Sequence, residues 1–142
     1  MIRHIPTSTI ADEAPSLLAS LHQFWDTTIN FETVENLYRR LMEDKVQLWL
    51  WTGSEGKLLF VTEVITTATA RLLQVTHTAG FKNDNTPWDL KTLATVIDTV
   101  FSEVEDLAKD LNFDALAILA RPAHARLAKG YEVQHTKLIK RL

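Results

Sequence analysis

Residues 87–120 read PWDLKTLATVIDTVFSEVEDLAKDLNFDALAILA, a stretch that predicts a long helix followed closely by a strand. Apolar residues recur at every third or fourth position through its first two thirds, which places them on one stripe of an α-helix. Thr86 before Pro87 is typical of a helix start, with the threonine as the cap, and Asn112 is typical of a helix end. Residues 114–120, which are apolar after Asp114, then predict a strand that packs against this helix.

Shorter elements are predicted on both sides of this stretch. The sequence RPAHARLAKGY at residues 121–131 predicts a short helix, and the basic residues after it predict a closing strand. Residues 1–5 predict a first strand, and two amphipathic helices follow because apolar residues recur there with helical spacing. The apolar faces of these helices carry Leu17, Leu18, Leu21, Phe24 and Trp25 in the first, and Val34, Leu37, Tyr38, Leu41 and Met42 in the second, which Asn30 would cap.

The apolar pattern then alternates from residue to residue, which predicts strands at residues 46–52, 57–66 and 71–79. The first of these, VQLWLWT, is apolar on both faces, so we expect it to be covered on both sides. The predicted order is β-α-α-β-β-β-α-β-α-β in a single domain over residues 1–142. The predicted class is α/β (α+β), with a mixed central sheet and helices on both faces.

The composition is that of a soluble globular domain, with 46% hydrophobic and 23% charged residues among 142. The chain has no Cys, which excludes a disulfide framework, a thiolate zinc site and a thiol nucleophile. No apolar run approaches the roughly 18 residues that a membrane span needs, and the start lacks the apolar stretch of a signal peptide. We therefore expect a cytoplasmic protein with no membrane partner. The five His do not fall at metal-ligand spacings, so no metal site is predicted.

Charge is distributed unevenly along the chain. Residues 1–114 carry 9 basic and 17 acidic side chains, a net charge of −8, whereas residues 115–142 carry 6 basic and 1 acidic side chain, a net charge of +5. Such a basic end suits a phosphate, a nucleic acid or an acidic protein surface, and equally a solvated strand edge. Nucleic acid is the least favoured, because the whole chain is acidic and no aromatic residues interleave with the basic stretch.

The predicted order of elements resembles that of the GNAT superfamily of N-acetyltransferases over nearly the whole chain. The start Met1-Ile-Arg and the segments Arg121-Pro-Ala, Arg126-Leu and Lys129-Gly-Tyr look like the ends of a GNAT domain. This resemblance implies a GNAT fold.

A narrower resemblance concerns small GNAT-like proteins of bacteriophages and prophages, which are often encoded among head and packaging genes. It rests on Gln47-Leu-Trp, on Val61-Thr-Glu-Val and on the Arg121-Pro segment. The resemblance implies association with a virion or its assembly.

GNAT enzymes, as the resemblance implies, bind acetyl-CoA where the fourth strand runs into the third helix, on a glycine-rich turn whose N–H groups hold the pyrophosphate. The corresponding residues 78–89, TAGFKNDNTPWD, contain one glycine, Gly80, and Pro87 has no N–H to donate. Asp84 and Asp89 place carboxylates where the family holds phosphate. We therefore predict that ordinary acetyl-CoA binding is lost, and that no cofactor is used unless the chain is an active enzyme.

Four residues are the candidates for cofactor contacts if acetyl-CoA does bind: Gly80, Lys82, Arg121 and Arg126. The Lys82 ammonium would offset the neighbouring carboxylates, although a solvated loop lysine is the alternative. Arg121 and Arg126, near the short last helix, would reach the adenosine end of the cofactor or else face solvent.

Glu63 and His77 are the candidate catalytic residues. A charge inside FVTEVI is costly to bury unless it is paired or open to a cleft, and a His at the end of the fourth strand could deprotonate an amine. If Glu63 pairs with Val75, both candidates point to one face of the sheet, and a shift of one residue sends them to opposite faces. Each residue also fits a structural role.

Many GNAT enzymes, as the resemblance implies, use a Tyr on the last short helix as the general acid toward the departing thiolate. The matching residues 125–129, ARLAK, contain no Tyr. Tyr131 follows Gly130, where the family has a core aromatic residue, so we predict a structural role for it.

The sequence leaves two candidate functions for this protein. The first is a GNAT-fold, phage-type protein with a degenerate phosphate turn, which acts as a non-enzymatic binding or assembly module for other proteins, phage structural proteins among them. The second is an active acetyl-CoA-dependent N-acyltransferase that acts on a protein or a small amine. The first places the protein in the host cytoplasm or in the virion.

Overall fold

The computed structural model of the protein describes residues 1–10, 33–118 and 130–131. Within them the strands β1 to β5 cover Ile2–Ile5, Gln47–Gly53, Gly56–Thr66, Arg71–Phe81 and Ala115–Ile118, and the helices α1 and α2 cover Val34–Met42 and Leu90–Asp110. Residues 7–10 are also helical. The predicted first helix with its apolar residues from Leu17 to Trp25, the predicted short helix near residue 125 and the closing strand lie outside the described residues.

The five strands form one mixed sheet in the order β1-β2-β3-β4-β5. Neighbouring strands from β1 to β4 are antiparallel, and β4 and β5 are parallel. Helix α2 supplies the crossover that two consecutive parallel strands require. The predicted class, a mixed sheet with helices, is confirmed.

Each face of the sheet packs against its own group of buried side chains. One group, next to α1, contains Ile5, Ile10, Leu37, Leu41, Val46, Leu48, Leu59, Val61, Ala79 and Phe81. The other, next to α2, contains Trp51, Leu58, Phe60, Val75, Val96, Val100 and Val104. Alternate residues of β2 therefore enter different groups, which confirms that β2 is covered on both sides.

Two helix starts differ from the prediction. Thr33 caps α1, because its hydroxyl accepts the N–H of Asn36 at 3.1 Å, and the predicted cap Asn30 lies outside the described residues. Asp89, and not Thr86, caps α2. The reason is that the chain doubles back before the helix, so that Pro87 forms a bridge with Phe81. β4 accordingly extends two residues beyond its predicted end, to Phe81.

Neither a membrane span nor a metal cluster is found in the part of the chain that the structure describes. No described helix is long and apolar enough to cross a membrane. No three His, Asp or Glu side chains of the described residues come together as a possible metal site.

Candidate functional site

The connection between β4 and α2 is a closed loop in which three backbone donors bond to carbonyls of the loop or of β4. The Lys82 N–H donates to the Thr86 carbonyl at 2.7 Å, and the Asn85 N–H donates to the Lys82 carbonyl at 2.9 Å. The Trp88 N–H donates back to the Gly80 carbonyl of β4 at 3.0 Å. These three donors are therefore engaged within the chain.

Two side chains of the loop also bind the turn between β2 and β3. The Asn83 amide donates to the Ser54 carbonyl at 3.0 Å, and the Trp88 indole N–H donates to the Glu55 carbonyl at 3.3 Å. The loop is therefore fixed by a neighbouring turn as well as by its own hydrogen bonds.

Carboxylates of the connection accept two further backbone N–H groups. Asp84 Oδ1 accepts the Thr86 N–H at 3.0 Å, and Asp89 Oδ1 accepts the Thr92 N–H at 2.7 Å. Lys82 Nζ lies 3.3 Å from Asp89 Oδ2, so this candidate cofactor residue is ion-paired inside the chain. Asp89 thus supplies the negative charge that the start of a helix favours.

The same contacts keep both carboxylates ionised. The Thr92 backbone N–H, followed by the Thr92 side chain and Lys82, lowers the pKa of Asp89 from 3.8 to about 2. The Thr86 hydroxyl, followed by its backbone N–H, lowers the pKa of Asp84. Both carboxylates are therefore negatively charged at neutral pH, and the one at the start of α2, partly offset by Lys82, disfavours a phosphate there.

Gly80 makes room for an indole ring. A Cβ at Gly80 would lie 2.3 Å from Cε3 and 2.7 Å from Cδ2 of Trp88, far inside van der Waals contact. The Trp88 ring in turn meets Trp51 edge to face, with 6.0 Å between centroids. Packing against Trp88 is thus sufficient to explain a glycine at this position of β4.

β4 carries one extra residue opposite β3. Val61 pairs with His77 and Thr62 pairs with Val75, which leaves Thr76 without an opposite residue in a β-bulge. Such a bulge interrupts the ladder locally and re-aims the side chains that follow it.

The bulge places Glu63 and His77 on the same face of the sheet. Glu63 pairs with Gln74 and not with Val75, a shift that in a regular ladder would separate the two candidates. Val61, however, lies directly opposite His77 and two positions before Glu63, so all three share the face that α1 covers. Both alternatives considered from the sequence assume a regular ladder, and the bulge produces a third arrangement.

The Glu63 carboxylate is engaged by α1. Arg40 Nη2 lies 3.1 Å from Glu63 Oε2, with 23% of the Arg40 and 34% of the Glu63 side chain exposed. A substrate amine that approached Glu63 would compete with this partly buried ion pair.

His77 is held at the bulge and is only 6% exposed. Its Nδ1 lies 2.8 Å from the Thr76 hydroxyl, which donates to the Val61 carbonyl at 3.4 Å. The imidazole could accept or donate a proton at this position, but its small exposed area restricts direct contact with an acceptor.

Tyr131 packs against α2, as predicted for a structural residue. Its hydroxyl donates to Glu105 Oε1 at 2.8 Å, and its ring meets Phe101 edge to face at 5.3 Å between centroids. Burial and, secondly, the Glu105 carboxylate raise the pKa of Tyr131. The hydroxyl is therefore committed to an internal acceptor.

The remaining candidates, Arg121 and Arg126, lie outside the described residues, so their contacts with a cofactor stay predictions.

Two residues that contact the candidate site residues were not predicted from the sequence. Arg40 lies 23 positions from Glu63, and only tertiary packing brings them together. The apolar pattern around Trp88 indicated core or interface, but not its contact with Gly80.

No protein-family model matches the chain, and no curated protein sequence matches it. Solved structures do match over its whole length. A probable acetyltransferase is 9% identical, with a TM-score of 0.61 and 96% of its own chain covered. A ribosomal-protein-alanine N-acetyltransferase from Brucella melitensis biovar Abortus 2308 is 12% identical, with a TM-score of 0.59 and 98% covered. An aminoglycoside acetyltransferase from an uncultured soil metagenomic sample, in complex with sisomicin, is 12% identical, with a TM-score of 0.60 and 95% covered.

These neighbours are N-acetyltransferases of the GNAT type, and the chain has the GNAT fold. Identities between 9% and 12% show the fold alone. The resemblance in fold is confirmed, and the phage-like resemblance stays a prediction.

Gly80→Ala should lower the free energy of unfolding by about 1–3 kcal/mol, the usual cost of overpacking, because the new Cβ collides with Trp88. Trp88→Leu introduced into the same chain should recover part of this loss, since leucine is smaller than the indole. Urea denaturation of wild type, both single variants and the double variant forms a double-mutant cycle. Strictly additive losses would contradict the contact between the two residues.

Asp89→Ala should destabilise the protein at neutral pH, and the difference from wild type should shrink as the pH falls from about 4 to about 2. The sign follows from the lowered pKa: the ionised carboxylate stabilises the folded state above its unfolded pKa of 3.8 and is lost through its folded pKa of about 2. Asp89→Ser is the matched control, because it keeps a capping oxygen without a charge. Urea midpoints at several pH values measure the effect, and a constant difference across this range would contradict it.

Glu63→Gln and Arg40→Met should each lower the free energy of unfolding by about 1 kcal/mol, with a coupling energy of about 0.5–1 kcal/mol, because the ion pair is only partly buried. The more exposed pair of Glu43 and Lys45, changed to Gln and Met, is the control and should couple less. Equal coupling energies in the two cycles would contradict a stronger ion pair between Glu63 and Arg40 than between two exposed side chains.

Proposed function

We propose that this chain is a binding module built on the GNAT fold, that it does not transfer acetyl groups, and that its ligands are other proteins. The observation that carries the proposal is the start of α2. There the Asp89 carboxylate accepts the Thr92 N–H and pairs with Lys82. A pyrophosphate that approached this point would meet a carboxylate in the place of free donors.

The closed loop before α2 supports the same proposal. Lys82, Asn85 and Trp88 each donate their backbone N–H to a carbonyl of the chain, and Pro87 has none to donate. Binding a phosphate on these donors would require breaking internal hydrogen bonds, so the loop is built to be stable without a ligand.

The alternative is an active N-acyltransferase that uses acetyl-CoA and acts on a protein or a small amine. The position of Glu63 and His77 on one face of the sheet favours it, because a base and a second proton carrier can then serve one acceptor. The ion pair of Glu63 with Arg40 and the burial of His77 weigh against it.

The partners that we propose are structural proteins of a phage, and the place of action is the host cytoplasm or the virion. This part rests on the resemblance of Gln47-Leu-Trp and Val61-Thr-Glu-Val to small phage and prophage proteins. The two segments lie in β2 and towards the end of β3, and the resemblance by itself marks no binding surface on them.

Calorimetric titration with acetyl-CoA and with CoA should show no binding at millimolar ligand, because the Asp89 carboxylate caps the start of α2 and three donors of the preceding loop are engaged within the chain. An active GNAT acetyltransferase titrated in parallel is the positive control. Micromolar binding that is lost in Lys82→Ala or His77→Ala would overturn the non-enzymatic proposal and support the enzyme.

Mass spectrometry of purified particles from the source phage should detect this protein in virions or in assembly intermediates. A cytoplasmic host protein quantified in the same preparations corrects for carry-over. Absence from both kinds of particle would contradict the assembly role, whatever the outcome with acetyl-CoA.

A further inference from the structure

We draw no further inference here: the strongest candidate, the edge of β3 at residues 63–66, which β2 leaves unpaired among the described residues and which exposes Val64, carries nothing because nothing in the structure shows what covers it.

Discussion

The hydrogen bond from the Trp88 N–H to the Gly80 carbonyl fixes the path of the chain between the end of β4 and the start of α2. It turns the chain back on the strand that it has just left, which lays the Trp88 ring over Gly80 and excludes any side chain there. It also delays the start of α2, so that Asp89 becomes the cap. The packing at Gly80 and the negative charge at the start of α2 therefore both accompany one local return of the backbone.

A single extra residue has a comparable influence at the centre of the sheet. Thr76 restores Glu63 and His77 to one face despite the shifted register. Polar groups on a covered face require partners, and here Arg40 serves the carboxylate while Thr76 itself serves the imidazole. The same contacts engage the Glu63 carboxylate and the His77 Nδ1 within the chain.

The regular parts of this fold could be predicted from the sequence because they depend on periodicity. The apolar stripe of α2 indicates its buried face, and the apolar residues on both faces of β2 indicate burial on both sides. The structure confirms both. The α2 start at Asp89 could not be predicted in the same way, because Thr86 and Pro87 are equally suited to a tight turn. The turn is accompanied by contacts of Trp88 with Gly80, through its N–H and its ring, and these are tertiary contacts that a local pattern does not show. The bulge at Thr76 likewise leaves no mark in the alternation of β4, since threonine is an ordinary strand residue.

Most of the buried core lies away from the β4–α2 connection, so the charge at the start of α2 can differ while that core is kept. The buried side chains of the described residues lie on the two faces of the sheet, under α1 and α2, and Trp88 of the loop, partly buried, packs against one of these groups. A helix start that binds phosphate must leave some of its N–H groups without internal partners, which costs helix stability whenever the ligand is absent. A carboxylate at the cap accepts such an N–H group, which removes the cost to helix stability and lowers the affinity for phosphate at the same time. Where no phosphate is to be bound, stability alone favours an Asp such as Asp89, because nothing then opposes the most stable way to begin the helix.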